Sequence, residues 1–257
     1  MTESQWNTFT EFKERFKAKC LEWQKFSDDL IPLQKKTAKA DTPDYSFETP
    51  VVYNTALDDL TQDSQIKLIL IGDNPGKSEQ LKINRKYLIG QAGKLADRFF
   101  KQNPEFQIDF RKNVIILNKT PVHSAKTKHL SKIAEELSAT NSCAKKLILE
   151  SQHWMAKETA NLHKNLCSLA EKENSIRPQL WLVGYAELKK GGIFVPYKEI
   201  LKQEYSDSPF WNSVFVFQHF SMNRFTIDLK NFLQTEQSDN QVQALAKLGL
   251  KHKNEIF

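Results

Sequence analysis

The stretch that most limits what this chain can fold into is Ile66-Lys67-Leu68-Ile69-Leu70-Ile71-Gly72-Asp73-Asn74-Pro75-Gly76. A short, nearly unbroken apolar run that stops at a Gly/Asn/Pro turn is the signature of a strand buried on both faces, as in a parallel sheet. In open α/β folds, ligands bind beyond the carboxyl ends of such strands. Asp73 and Asn74 stand at that end, between Gly72 and Pro75, so a carboxylate and an amide share a turn with little backbone freedom.

Three more strand-sized runs follow: Asn113 to Asn118, Leu180 to Val183, and Val214 to Gln218. Between the second and third of the four runs lies a long helical stretch, 143 to 172. Its apolar positions Leu147, Ile148, Trp154, Met155, Leu162, Leu166 and Leu169 keep the helical period. Ala92 to Phe100 reads as a helix facing inward with Leu95, Phe99 and Phe100, and 238 to 257 as a final helix with a frayed end. Strands alternating with helices predict an α/β, three-layer αβα fold around a central, mostly parallel four-stranded sheet.

Ahead of the first strand, Phe9, Phe12, Phe16, Cys20, Trp23, Phe26 and Leu30 recur at spacings of three and four. They predict one long amphipathic helix ended by Pro32. Residues 34 to 48 read as a polar loop, Pro50 to Tyr53 as a short extended segment, and 79 to 90 as irregular. The division is a helical extension, 1–48, packed on an α/β domain, 49–257.

No apolar run is long enough for a membrane helix, and the first residues lack the basic start and apolar core of a secretory signal. Cys20, Cys143 and Cys167 are far apart and form no CxxC pair, which predicts neither a disulfide framework nor a metal site. A cytoplasmic monomer without metal or cofactor is the expectation. The net charge of +6 favours a polyanionic partner.

If the strands run parallel, Asp73 and Asn74, Asn118, and His219 come to one edge of the sheet and share a crevice. Gly76-Lys77-Ser78 after a strand is reminiscent of a P-loop. That motif, however, needs four residues between its glycines, where Gly72 and Gly76 enclose three, and Pro75 removes an N–H.

With these residues in place, the chain resembles the uracil-DNA glycosylase superfamily, closest to its iron–sulfur branch, with features of the mismatch-specific and single-strand-selective branches. Gly72-Asp73-Asn74-Pro75-Gly76 matches the first motif, Gly90-Gln91-Ala92-Gly93-Lys94-Leu95 a Gly-x-Ala-Gly-Lys-Leu segment, and Val114 to Asn118 a strand ending in Asn. Leu182-Val183-Gly184-Tyr185-Ala186 matches a strand with a Leu-Gly end, and His219-Phe220-Ser221 the closing His-Pro-Ser motif. Phe220 replaces the family's Pro. The four cluster thiolates are not matched, since only Cys143 stands near an expected position, so no cluster is expected.

The resemblance implies base excision repair by a monofunctional DNA glycosylase that removes uracil or another deaminated base flipped out of DNA. It implies that His219 donates to the base oxygen that gains charge and that Asn118 reads the Watson–Crick edge. Either Asp73, as general base, or Asn74, through its carbonyl, would handle the water. Asp73 as a plain helix cap is the bland alternative. The position that stacks on the base falls near Leu88, with Tyr87 beside it. Gly76, Lys77, Ser78 and Ser221 would hold phosphates, Met222 or Phe220 would wedge the duplex, and Arg224 would touch the backbone. The alternative function is an inactive member that binds DNA or a nucleobase without cutting it.

Overall fold

The computed structural model describes residues 1–140, 142–237 and 240–257. Four strands, β1 (Leu68–Gly72), β2 (Val114–Asn118), β3 (Gln179–Val183) and β4 (Val214–Phe217), form one sheet in the order β2-β1-β3-β4. All three pairings are parallel. Apart from Gln179, every strand residue is buried, whichever way its side chain alternates, so both faces of the sheet are covered. That is consistent with a three-layer αβα arrangement.

Eight α-helices are found among the described residues: α1 (Glu3–Gln24), α2 (Ser27–Lys39), α3 (Gln91–Gln102), α4 (His129–Ser138), α5 (Leu147–Lys172), α6 (Val195–Glu204), α7 (Arg224–Glu236) and α8 (Gln241–Ile256). The final helix runs to Ile256 without fraying, and the Ser238 and Asp239 part of that expectation lies outside the described residues. Helix α1 packs on α5, α2 on α4, α5 on α6, and α8 on both α7 and β4. The aromatic stripe Phe9, Phe12, Phe16 and Trp23 is buried in the same core as the sheet, with Trp154 of α5 edge-on to Trp23 at 5.6 Å.

The N-terminal region departs from the expectation. The chain breaks at Lys25 and Phe26, not at Pro32, which lies inside α2, and α2 covers the first part of the expected loop as far as Lys39. The missing N–H of Pro32 leaves unpaired only the carbonyl one turn back, at exposed Asp28, where water can serve it. Leu30, Gln34, Thr37 and Ala38 bury the inner face of α2 at helical spacing. The Gln34 amide there donates to Pro50 O at 3.0 Å and His123 O at 2.8 Å, so a polar residue fixes the inner face of a helix where a loop was expected. The extended segment at Pro50 to Tyr53 runs antiparallel to Pro121 to His123, joined by Val52 N–H to Pro121 O at 2.9 Å.

Candidate active site

Because the sheet is parallel, the chain leaves all four strands at one edge, where a cavity of about 560 Å³ opens. Asp73, Asn74, Asn118 and His219 all line it, together with Leu88 and Gly184. The residues drawn together by the sequence argument therefore meet.

Asn118 is paired in register with Gly72, and its side chain lies across that glycine, where a Cβ would stand 2.5 Å from Oδ1. Glycine is thus required for the amide to lie flat on the sheet edge. The Asn118 Nδ2 is buried and has no hydrogen-bond partner. A buried donor left without an acceptor costs about 1–3 kcal/mol, so such groups call for an explanation at the site where they occur.

At the end of β4, His219 Nδ1 accepts the Ser221 backbone N–H at 3.1 Å and sits 2.8 Å from Ser221 Oγ. An accepting Nδ1 assigns the ring proton to Nε2. Burial lowers the histidine's proton affinity; Asp73 opposes that shift, and Lys119 and Arg224 reinforce it. A neutral imidazole that can donate from Nε2 results. The hydroxyl and the backbone N–H of Ser221 both engage this ring and orient it.

Asp73 is nearly buried. Its Oδ1 accepts from Lys119 Nζ at 2.6 Å and its Oδ2 from Thr127 Oγ1 at 3.3 Å. Gly184, with φ +95°, leaves room for the carboxylate: a Cβ there would lie 2.3 Å from Oδ1. Asp73 is therefore not a helix cap. Asn74 donates from Nδ2 to Ser124 Oγ at 2.9 Å and Pro75 O at 3.1 Å, which leaves its carbonyl as the acceptor.

The turn after β1 is set by Glu79, a cavity-lining carboxyl that takes the Gly76 N–H at 3.0 Å. Burial pushes its pKa up to about 7 against the backbone amides of Gly76, Leu88 and Ile89. Leu88 sits at φ +49° and touches the start of α3 so closely that a Cβ at Gly93 would fall 1.5 Å from Leu88 O. This contact explains the glycine in Gly90-Gln91-Ala92-Gly93. Leu88 lines the cavity, but Tyr87 does not: its ring is fully buried and its hydroxyl donates to Val52 O. The expectation that Tyr87 meets the base is thus corrected, because the left-handed turn at Leu88 sends the neighbouring ring into the core. No Phe, Tyr or Trp side chain is found in the cavity wall among the described residues.

No family model, curated protein or solved structure matches this chain. The site is therefore read from its own chemistry.

At the cavity mouth, Lys77, Ser78, Met222 and Arg224 are exposed and Gly76 is partly so. A Cβ at Gly76 would meet nothing, so open space faces this glycine. Met222 is 67% exposed on a left-handed backbone, φ 54°, whereas Phe220 is buried and stacked on Phe225 at 4.3 Å. Of the two wedge candidates only Met222 can reach a partner. Sequence reasoning missed Lys119, Thr127, Ser124 and Glu79. The one signal for Lys119 was a lone cation directly after a strand-ending Asn, inside the otherwise uncharged run from Val114 to Ala125. No helix among the described residues is long and apolar enough to cross a membrane, and no cluster of metal-ligating side chains occurs among them.

Proposed function

We propose that this protein is a monofunctional glycosylase of the uracil-DNA glycosylase type, which hydrolyses the N-glycosidic bond of a deaminated base flipped out of DNA. The observation that carries the reading is the unpartnered, buried Asn118 Nδ2 in the wall of the cavity where the Asp73 carboxylate and the His219 Nε2–H meet. A base carbonyl such as uracil O4 is the acceptor this donor lacks, and the amide oxygen can take the adjacent ring N–H.

The chemistry follows from charge. As the bond from C1′ to the base nitrogen breaks, its electron pair goes to the base, and His219 Nε2–H donates to the oxygen where the negative charge collects. The sugar becomes cationic beside Asp73. Water oriented by the Asn74 carbonyl adds to C1′ and yields its proton to Asp73 Oδ2, the oxygen not held by Lys119. Flipping costs about a few kcal/mol, and Met222, filling the vacated stack, would offset part of it. Leu88 would cover the face of the base in place of an aromatic ring.

The test is release of uracil, hypoxanthine or xanthine from end-labelled single strands and mismatched duplexes, with alkali to reveal abasic sites. The expected result is cleavage of at least one substrate, abolished by Asp73→Ala with DNA binding retained. Binding of these DNAs without any abasic product would favour the non-cutting alternative, to which the absence of a stacking ring in the cavity wall gives some support.

A further inference from the structure

Among the described residues, Lys119 is the one lysine whose side chain is wholly buried. Its Nζ has three donors and three acceptors: Asp73 Oδ1 at 2.6 Å, Val183 O at 2.6 Å and Gly72 O at 3.3 Å. The Phe194 ring lies 4.9 Å away and closes the seat from solvent. The lysine therefore sits beneath the cavity, caps the carboxyl ends of β1 and β3, and is already saturated. It cannot also serve as an amine nucleophile, which would need a free lone pair and a path to the sugar.

Capping carbonyls does not require a charge, and a buried ammonium is costly unless a carboxylate faces it. Asp73 faces it on one side only. With Oδ1 fixed by Lys119, Oδ2 is left toward Thr127 and the cavity. Asp73 and His219 line one cavity, so the ammonium that partners Asp73 opposes protonation of the imidazole, while Asp73 favours it.

We infer that Lys119 is a positioning residue of the site: it anchors Asp73 through Oδ1, so that Oδ2 is presented to the cavity that His219 also lines. Its catalytic consequence rests on the glycosylase reading, whereas the electrostatic arrangement does not. Of the other charged groups, Glu187 from the turn after β3 acts on Lys119 and Arg224 at the start of α7 on His219, while Glu79, Lys77 and Lys126 line the same cavity. None of them occupies the Nζ seat.

The experiment compares the full-length wild type with Lys119→Gln, which keeps amide donors and loses the charge, and with Asp73→Asn, which keeps the shape and loses the opposite charge. The imidazole of His219 is titrated by NMR in each. The expected midpoint rises in Lys119→Gln and falls in Asp73→Asn, because each variant leaves the other charge unopposed. On whichever DNA is cleaved, Lys119→Gln should lower kcat about tenfold or more with KM changed by no more than about twofold. The acid limb of its kcat profile should move to higher pH with the midpoint, since the neutral imidazole is the donor.

A purely structural lysine would lower the Tm and leave the midpoint in place. His219 titrating as in the wild type in both variants overturns the inference. If Lys119→Gln is too unstable to measure, Asp73→Asn alone decides, an unchanged midpoint being the overturning result. Opposite shifts with no base release by the wild type would instead overturn the glycosylase reading and leave the pairing intact.

Discussion

Gly184→Ala separates backbone strain from damage to the site. The residue sits at φ +95°, and its added Cβ would lie 2.3 Å from Asp73 Oδ1. An L residue in this left-handed region costs about 1–2 kcal/mol. In a chain of this size that lowers the Tm by about 2–8 °C. Ordinary C···O contacts begin near about 3.3 Å, so the carboxylate must retreat by about 1 Å. A displacement of about that size can cost about 10²-fold in rate, or about 2.7 kcal/mol of barrier. Gly191→Ala supplies the control: φ is +84°, the residue is exposed, and its Cβ would meet nothing. Thermal denaturation and single-turnover base release are measured on both variants. Similar losses of Tm are expected in the two, with the large loss of rate confined to Gly184→Ala. Equal rates in the two variants would refute the claim that the seat of Asp73 governs the reaction.

Asn118→Leu removes an unpartnered buried donor, so the Tm should stay level or rise while base release disappears; a fall of several degrees would mean the amide has a structural partner. Burial holds His163 and His123 at pKa values of about 4, so each must take up a proton on unfolding between that pH and about 6.5. Stability should therefore fall as pH drops through this window, by about 1.4 kcal/mol per unit for each histidine. Glu79, raised from 4.5 to about 7, acts in the opposite direction between those two values. Chemical denaturation of His163→Asn against the wild type should show a flatter pH dependence, and an unchanged slope would remove His163 from the account. DNA binding should weaken steeply with salt, and Lys77→Ala should reduce the log–log slope by about 0.9; an unaltered slope would take Lys77 off the phosphates.

The sheet was legible because its strands are buried on both faces and read as apolar runs, and β1, β2 and β4 each reach a polar residue at the edge where the cavity opens. For the same reason Asp73, Asn118 and His219 could be gathered before any geometry was known. The run of α2 past Pro32 was hidden because Gln34 and Thr37 fill its inward positions, and apolar periodicity does not register polar residues satisfied by hydrogen bonds. Tyr87 misled because a left-handed residue at Leu88 reverses which neighbour faces the cavity, and no propensity marks leucine for that role. The lone cation at Lys119 could be noticed in the sequence but its partner could not, because this buried ion pair joins residues 46 apart. Sequence spacing carries no information about such a pair.

The seat of Asp73 has a consequence for how the chain acquires function. Its walls come from the ends of β1, β2 and β3, with Lys119 joined to Asp73 and Val183 across separations of 46 and 64 residues. His219 completes the cavity from still further along the chain. No local segment can hold this geometry in advance, and parallel pairings between distant strands are slow to form. The assembled cavity should therefore arrive last in refolding, after helical signal has returned, so the proposed base release, followed in time, would report on completion of the whole sheet.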